Sequence, residues 1–450
     1  MIGFFAKRPA LALLTVIAML AAGGVMAHRR EAPRRGKTAV PLSLARKQSL
    51  RHGQADWRPE LDVDKARLAG GKLVQRLSDG TRVTYSIDPR LQQWATEYLR
   101  SYELPYAGMV ALDVRTGKVL VMAAHSQSRP GTGTREICLT PWAPAASVYK
   151  LVTASALLSR GVSPEATVCY HGGFHGLTRE HITDNAKLDQ SCRSLSFAIA
   201  KSVNPIMGKL ALRHLSPRDQ EDWAYRFGFN RPIPFELPVQ PSKAVIPTGD
   251  LERARVAAGF WKTQASVLHG AMIAGVAATG GRLLWPTIVE SARDQSGREL
   301  DLPVPEPERV MSKGLAEKLA TMMVSTTTMG TARKGFHGRK GEALLPGIDV
   351  GGKTGSLSRE NPFLHYSWFV GFAPAKAPRV AFAVLLGNPA KWRIKAHTAA
   401  RVMLSQYFKL DASVGRPRAS GIAAATQRPA KKASLTGSSR TRAAAVRSRI

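Results

Sequence analysis

Short apolar runs bounded by turn residues recur at both ends of the chain, and over 81–87 the apolar positions alternate with the period of a half-buried strand. Residues 73–77 and 81–87 flank Ser78, Asp79 and Gly80, which predicts a hairpin with a glycine turn. Residues 109–114 and 119–123 flank Arg115, Thr116, Gly117 and Lys118 and predict a second hairpin. Residues 366–373 and 380–386, separated by Pro374 and Pro378, are two more strand-like runs. Between these groups, from about 147 to 335, the spacing is mostly helical, as over 195–209 and 315–324. Strands at both ends with helices between them predict an α+β domain whose sheet is closed by sequence-distant segments.

The ends are different in kind. Lys7 and Arg8 precede an uncharged stretch over 9–27, 19 residues long, enough to cross a bilayer as a helix. Val25, Met26 and Ala27 also suit a signal-peptidase site, so export is expected either way. The expected organisation is a signal-anchor or signal peptide over 1–27, a basic juxtamembrane linker over 28–67, a folded domain over 68–410 and a disordered basic tail over 411–450. Three cysteines are too few for a disulfide scaffold and lack a metal-site spacing. In an exported chain Cys169 and Cys192 are the candidate disulfide, closing a polar 23-residue separation and leaving Cys138 unpaired.

Composition narrows the class. The 450 residues are 44% apolar and 22% charged, ordinary for a globular chain and unlike a disordered or fibrous one. The net charge of +33 favours polyanions, but nearly half of the excess sits in 1–60 and 411–450. A nucleic-acid reader would concentrate it in the fold, so anionic head groups and acidic polymers are the expected contacts and nucleic acid is not. No metal, nucleotide or other cofactor motif is present; His171 and His175 are interrupted by Gly172 and Gly173 and predict a surface loop.

Three short motifs carry candidate chemistry. Ser147 and Lys150 open a helix-like run, and three residues is close to one helical turn, so the amine reaches the hydroxyl. A serine at a helix start has unpaired N–H groups beside it, which suits a nucleophile and its oxyanion. Lys150 then accepts the Ser147 proton if burial and neighbouring cations depress its pKa. Ser202 and Asn204 sit at a helix-to-loop break marked by Pro205 and offer a proton relay and an amide for a peptide. Lys353, Thr354, Gly355 and Ser356 follow Gly351 and Gly352; on an edge strand they would set a cation, a hydroxyl and a bare backbone against an extended substrate. Taken singly, each has a plainer reading: a helix cap, a polar turn before proline, a glycine-rich turn.

Each motif occurs once, in this order, and the set resembles that of the penicillin-binding proteins and serine β-lactamases. Ile87 to Gln92, Ala111 to Asp113 with Gly117 to Val119, Gly330 to Ala332 and Trp368 to Phe372 add to the likeness, which runs from about 68 to 410 and is nearest to the transpeptidase domain of high-molecular-mass members. The resemblance implies an antiparallel sheet flanked by helices plus a helical subdomain, with the active site between them. It implies a peptidoglycan D,D-transpeptidase that cross-links stem peptides through a serine acyl-enzyme, without a cofactor, and is acylated by β-lactams. It assigns Ser147 as nucleophile, Lys150 as its activator, Ser202 to proton transfer, Asn204 to the peptide backbone, Lys353 and Thr354 to the substrate carboxylate, and the N–H groups of Ser147 and Ser356 to the oxyanion hole. It further implies a catalytic domain held outside the cytoplasmic membrane by one N-terminal anchor, with other cell-wall synthesis proteins as partners. The region before the domain is too short for a glycosyltransferase domain. The alternatives are a D,D-carboxypeptidase, a β-lactamase, for which the 151 residues from Ser202 to Lys353 are roomy, and a non-catalytic penicillin-binding module of a wall complex.

Overall fold

A computed structural model describes residues 56–410 apart from Trp261. The expected anchor over 1–27, most of the expected linker and the expected tail over 411–450 lie outside the described residues. Among the described residues no helix is long and apolar enough to cross a membrane.

The chain forms a five-stranded antiparallel sheet with helices on both faces. In chain order, β1 (Arg67–Ala69), β2 (Lys72–Arg76) and β3 (Arg82–Tyr85) belong to a small separate sheet. Helix α1 (Pro89–Ser101) is capped by Asp88, whose carboxylate accepts from Arg90 N and Leu91 N, with Pro89 pre-set at the first turn. Strands β4 (Tyr106–Asp113) and β5 (Val119–His125) make the central hairpin. The middle of the chain supplies α2 (Lys150–Ser159), β6 (Thr167–Tyr170), β7 (Ser191–Ser194), α3 (Leu195–Lys201), α4 (Asn204–His214) and α5 (Val267–Ala278). After them come β8 (Val289–Arg293), which completes the small sheet beside β3, α6 (Lys313–Thr328), β9 (Gly351–Arg359), β10 (Leu364–Ala373), β11 (Val380–Asn388) and α7 (Ala396–Leu410). The large sheet runs β9-β10-β11-β4-β5, so β11 closes on β4 across more than 260 residues of chain, with Val380 opposite Asp113 and Gly387 opposite Tyr106.

The period of two along these strands divides two cores. Trp368, Val370 and Phe372 of β10 and Ala381, Ala383 and Leu385 of β11 face the buried helix α5, apolar throughout but for His269. Phe369, Phe382, Val384 and Leu386 face the other way, onto Leu91, Ala95 and Leu99 of α1 and Ala399, Met403 and Leu404 of α7. Covered on both faces, β10 and β11 read as near-continuous apolar runs rather than alternating ones. Gln92 fixes α1 to the sheet, donating to Met122 O (2.8 Å) and accepting from Met122 N (3.0 Å).

Two expectations need correction. The linker expected to reach residue 67 is already part of the fold from Trp57, because Trp57, Leu61 and Val63 pack into the main core. Asp64 accepts from Thr134 N and Thr134 Oγ1 at 2.8 and 2.7 Å, an anchor that apolar periodicity does not register. The helix-to-loop break expected at Ser202 and Asn204, within the helical run over 195–209, is a junction of two helices, α3 and α4, at Ser202, whose φ of +61° is left-handed.

Candidate active site

The chain enters the site through a single 3₁₀ turn, Ala146–Tyr149, that runs straight into α2. Ala146 has φ of +49°, a strained conformation for a residue with a Cβ, and it sits immediately before Ser147. The turn is held from several sides. Ala145 N donates to Thr263 O (2.9 Å), and Trp368 Nε1 of β10 donates to Pro144 O (2.8 Å). Gly259 lies so close that a Cβ there would fall 1.9 Å from Ala146 O, and its φ of +87° suits only glycine. On the sheet side Gly355 of β9 passes the turn; a Cβ on it would meet Ala146 Cβ at 3.2 Å.

One turn inside α2, Lys150 is fully buried. Its Nζ lies 2.8 Å from Ser147 Oγ, 2.6 Å from Asn204 Oδ1 and 2.7 Å from Ala258 O. No carboxylate is among these partners. Burial pushes the amine well below the ordinary lysine pKa, and the nearby Lys353 charge pushes it the same way. A neutral amine has two N–H donors and one lone pair. Asn204 Oδ1 and Ala258 O are acceptors only and take the two donors, so the lone pair faces Ser147 and the Ser147 hydroxyl donates to it. That is the arrangement of a nucleophile and its general base.

Lys353, on edge strand β9, is also fully buried; its Nζ donates to Ser202 Oγ and to Thr354 O, both at 3.0 Å. Burial lowers its pKa to about 7. The Ser202 hydroxyl therefore sits beside one of the two amines, on the left-handed residue that separates α3 from α4. Thr354 Oγ1 lies 2.6 Å from Thr331 Oγ1, and Thr331 is held in turn by its N–H on Ala200 O at the end of α3 (2.9 Å). Ser147, Ser202, Thr354 and Ser356 open together onto a cleft of about 270 Å³, with Lys150, Asn204 and Lys353 behind it.

Asn204 faces differently from the reading that paired it with Ser202 toward a peptide. Its Oδ1 is on Lys150, its Nδ2 donates to His175 O (2.7 Å), and its backbone N–H donates to Phe174 O (2.7 Å). Both ends of the amide are engaged, so its visible work is to hold the amine and the loop at 171–177. That loop is not merely a surface feature, since His175 lines the cleft. It belongs to an insertion between β6 and β7, where Cys169 and Cys192 are joined as a disulfide and face each other across the strand pair. Beneath it, buried Lys209 of α4 contacts Asp189 (2.7 Å) and Asp184 (3.1 Å), while Asp189 also meets His171 Nδ1 (2.6 Å). Cys138 is buried and unpaired.

Every candidate of the three motifs is thus brought to one cleft or its back wall. Sequence reasoning did not find Ala258 and Gly259, which act through a carbonyl and an absent side chain. It also missed Trp392 and Lys395, which reach the cleft from the loop between β11 and α7.

A serine hydroxyl on a buried neutral amine, beside a second amine and an open strand edge, defines an active-serine acyl-transfer site on an α+β fold. A family model described as the penicillin binding protein transpeptidase domain matches residues 107–404, about two thirds of the chain. The chain belongs to this family. It is 26% identical over 372 residues to the peptidoglycan D,D-transpeptidase PbpA of Mycobacterium tuberculosis, covering 74% of this chain and 73% of that protein. With the probable peptidoglycan D,D-transpeptidase PenA of Neisseria flavescens it shares 27% over 380 residues, covering 79% and 88%. Penicillin-binding protein A of M. tuberculosis, solved as an imipenem acyl-enzyme complex, superposes with a TM-score of 0.62 at 24% identity, over 73% of this chain and 80% of that one. The D,D-transpeptidase domain from Eggerthella lenta gives 0.62 at 24%, over 75% and 85%. These two likenesses are of fold.

Proposed function

We propose that this protein is a serine peptidoglycan D,D-transpeptidase and a target of β-lactams. The observation that carries the residue roles is the hydrogen-bond inventory of Lys150, whose lone pair is left for Ser147 alone. Ser147 Oγ attacks the carbonyl carbon of the penultimate D-Ala of a donor stem peptide while its proton passes to Lys150 Nζ. The oxyanion is received by the N–H groups of Ser147 and Ser356. As the C–N bond breaks, Ser202 delivers a proton to the departing D-Ala amine and takes one from the Lys353 ammonium beside it, leaving an ester on Ser147. An amine of a neighbouring strand attacks that ester, its proton leaves by the same relay, and Ser147 recovers its hydrogen. Thr354 and Thr331 hydroxyls with the Lys353 charge receive the substrate carboxylate. Asn204 holds the Lys150 amine in place. A β-lactam enters as a D-Ala-D-Ala mimic, and its ring amide opens onto the same oxygen.

The test is incubation of the protein with a fluorescent penicillin, read by intact mass over hours beside Ser147→Ala. A one-to-one adduct that persists, and is absent in the variant, is the expected result. Rapid release of hydrolysed drug would replace the transpeptidase reading with a β-lactamase, and release of D-Ala to water without cross-linking would replace it with a carboxypeptidase. No adduct would leave a non-catalytic binding module.

We also place the catalytic domain on the outer side of the cytoplasmic membrane, tethered through 1–27. The disulfide supports an oxidising compartment. Removal of 1–55 is expected to move the penicillin-labelled protein from the membrane to the soluble fraction, and an unchanged membrane fraction would sink the assignment.

A further inference from the structure

The cleft holds a cation that none of the steps above uses. Lys395 lines it and forms no ion pair with a described residue. Among the described residues, no Asp or Glu lines this cleft. The side chain is nonetheless placed rather than free. Its ammonium lies 5.7 Å from the centroid of the Trp392 ring, which also lines the cleft. Trp392 stacks on His365 of β10 at 5.0 Å, with the planes 22° apart, and His365 is backed by Phe363 and by Ser358 Oγ at 2.5 Å from Nδ1. The loop that carries both residues is pinned through its backbone: Arg393 N and Ile394 N donate to the buried Asn388 Oδ1 at 3.0 and 3.3 Å, and Ala396 N donates to Ser367 Oγ at 3.0 Å. A loop with its N–H groups committed this way presents Trp392 and Lys395 in a fixed pose, so little ordering entropy remains to be lost when a ligand binds.

We infer that Trp392 and Lys395 form a subsite for a second carboxylate of the substrate, carried on a side chain upstream of the scissile bond. The inference rests on the acyl-transfer reading. In that reading one carboxylate, that of the terminal D-Ala, is taken by Lys353 and the two threonines. Lys395 lies on a separate loop after β11, outside the Lys353–Ser202 and Thr354–Thr331 contacts, and stays available to a second anionic group. A cleft with cations and hydroxyls and no acid of its own favours donor peptides with a free side-chain carboxylate over those in which it is amidated or missing.

The closing experiment compares acylation of the whole protein by benzylpenicillin and by its α-carboxy derivative, which differ by one carboxylate on the arm that occupies the upstream peptide position. Second-order rate constants are read by intact mass. The ratio of the two rates, α-carboxy over benzyl, is expected to fall about fivefold in Lys395→Ala, the scale of one partly exposed ion pair. It should fall further in Lys395→Glu, be kept in Lys395→Arg, and decline in the unaltered protein as ionic strength rises. Donor stem peptides with the free acid and with the amide should show the same ratio. If Lys395→Ala lowers both rates equally, Lys395 only shapes the cleft and the subsite is refuted. A ratio insensitive to salt and to Lys395→Glu refutes it as well. Absence of any Ser147 adduct with benzylpenicillin in the unaltered protein would overturn the acyl-transfer reading, and the subsite with it.

Discussion

Lys150 in α2 and Lys209 in α4 lie in packed neighbouring helices and expose 0% and 1% of their surface. Their surroundings differ in one respect. Lys209 meets two carboxylates, Asp189 and Asp184, together with Cys169 O at 3.1 Å. Lys150 meets a hydroxyl, an amide and a carbonyl, all neutral. Burial pushes the Asp189 carboxyl up, yet hydrogen bonds from Asn185 N, His171 and Lys209, with the Lys209 charge, outweigh it and hold the group well below its usual range. That cluster is an ion pair locked under a disulfide-closed loop. The Lys150 cluster has neutral acceptors but no carboxylate to offset the charge of an ammonium, and the amine is released to act as a base. Burial makes a lysine reactive only where the fold withholds an acid.

The comparison breaks most sharply at Lys150. Lys150→Met is expected to slow penicillin acylation by about a thousandfold, in the range of a lost general base. Its thermal midpoint should fall less than that of Lys209→Met, because it strands two neutral acceptors, Asn204 Oδ1 and Ala258 O, and no charge. A rate within tenfold of the unaltered protein would remove Lys150 from the base role.

Lys209→Met should do the reverse. It leaves Asp189 buried without its cation, and the free energy of unfolding should drop by about 3–5 kcal/mol, read by urea denaturation. The double change Lys209→Met with Asp189→Leu should recover most of the loss. If the single variant is as stable as the parent, the ion pair does not hold the loop.

The smallest effect is in the pH dependence of stability. Lys353 titrates at about 7 in the folded protein, against about 10.4 in an unfolded chain. Between these values the unfolded chain binds more protons, so stability rises with pH across this window and is lowest at and below about 7. Lys353→Met should flatten that rise between pH 7 and 9 by about 1–2 kcal/mol, read from denaturation curves at each pH. An unchanged slope would mean that burial does not lower the Lys353 pKa.

Much of this was written in residues that carry chemistry on side chains. Ser147, Lys150, Ser202, Lys353 and Thr354 stand at spacings that state a site, and β10 and β11 announce themselves as apolar runs. Other parts act through the backbone and leave no such trace. Ala258 contributes a carbonyl and Gly259 an empty space, and neither carries a side chain that states a role. The break at Ser202 was marked by Pro205, but the left-handed φ that turns its hydroxyl toward Lys353 belongs to an ordinary residue and was not. Trp392 and Lys395 sit in an unpatterned loop, and only the tertiary pins from Asn388 and Ser367 bring them to the cleft. The packing of Trp57, Leu61 and Val63 was hidden because three apolar residues among polar ones make no period.

The outer strand β9 has a neighbour on one side only, and such an edge ordinarily invites a second molecule of the same protein to add a strand and start an aggregate. Here the 3₁₀ turn bearing Ser147 is seated over the face of β9 at Gly355, because a Cβ leaves a strand perpendicular to its ladder, and the edge beside it stays open. A chain that adds to that edge as a further strand is carried along the side of the nucleophile. The exposed ladder that is a hazard on other sheets is here the track on which a peptide is laid.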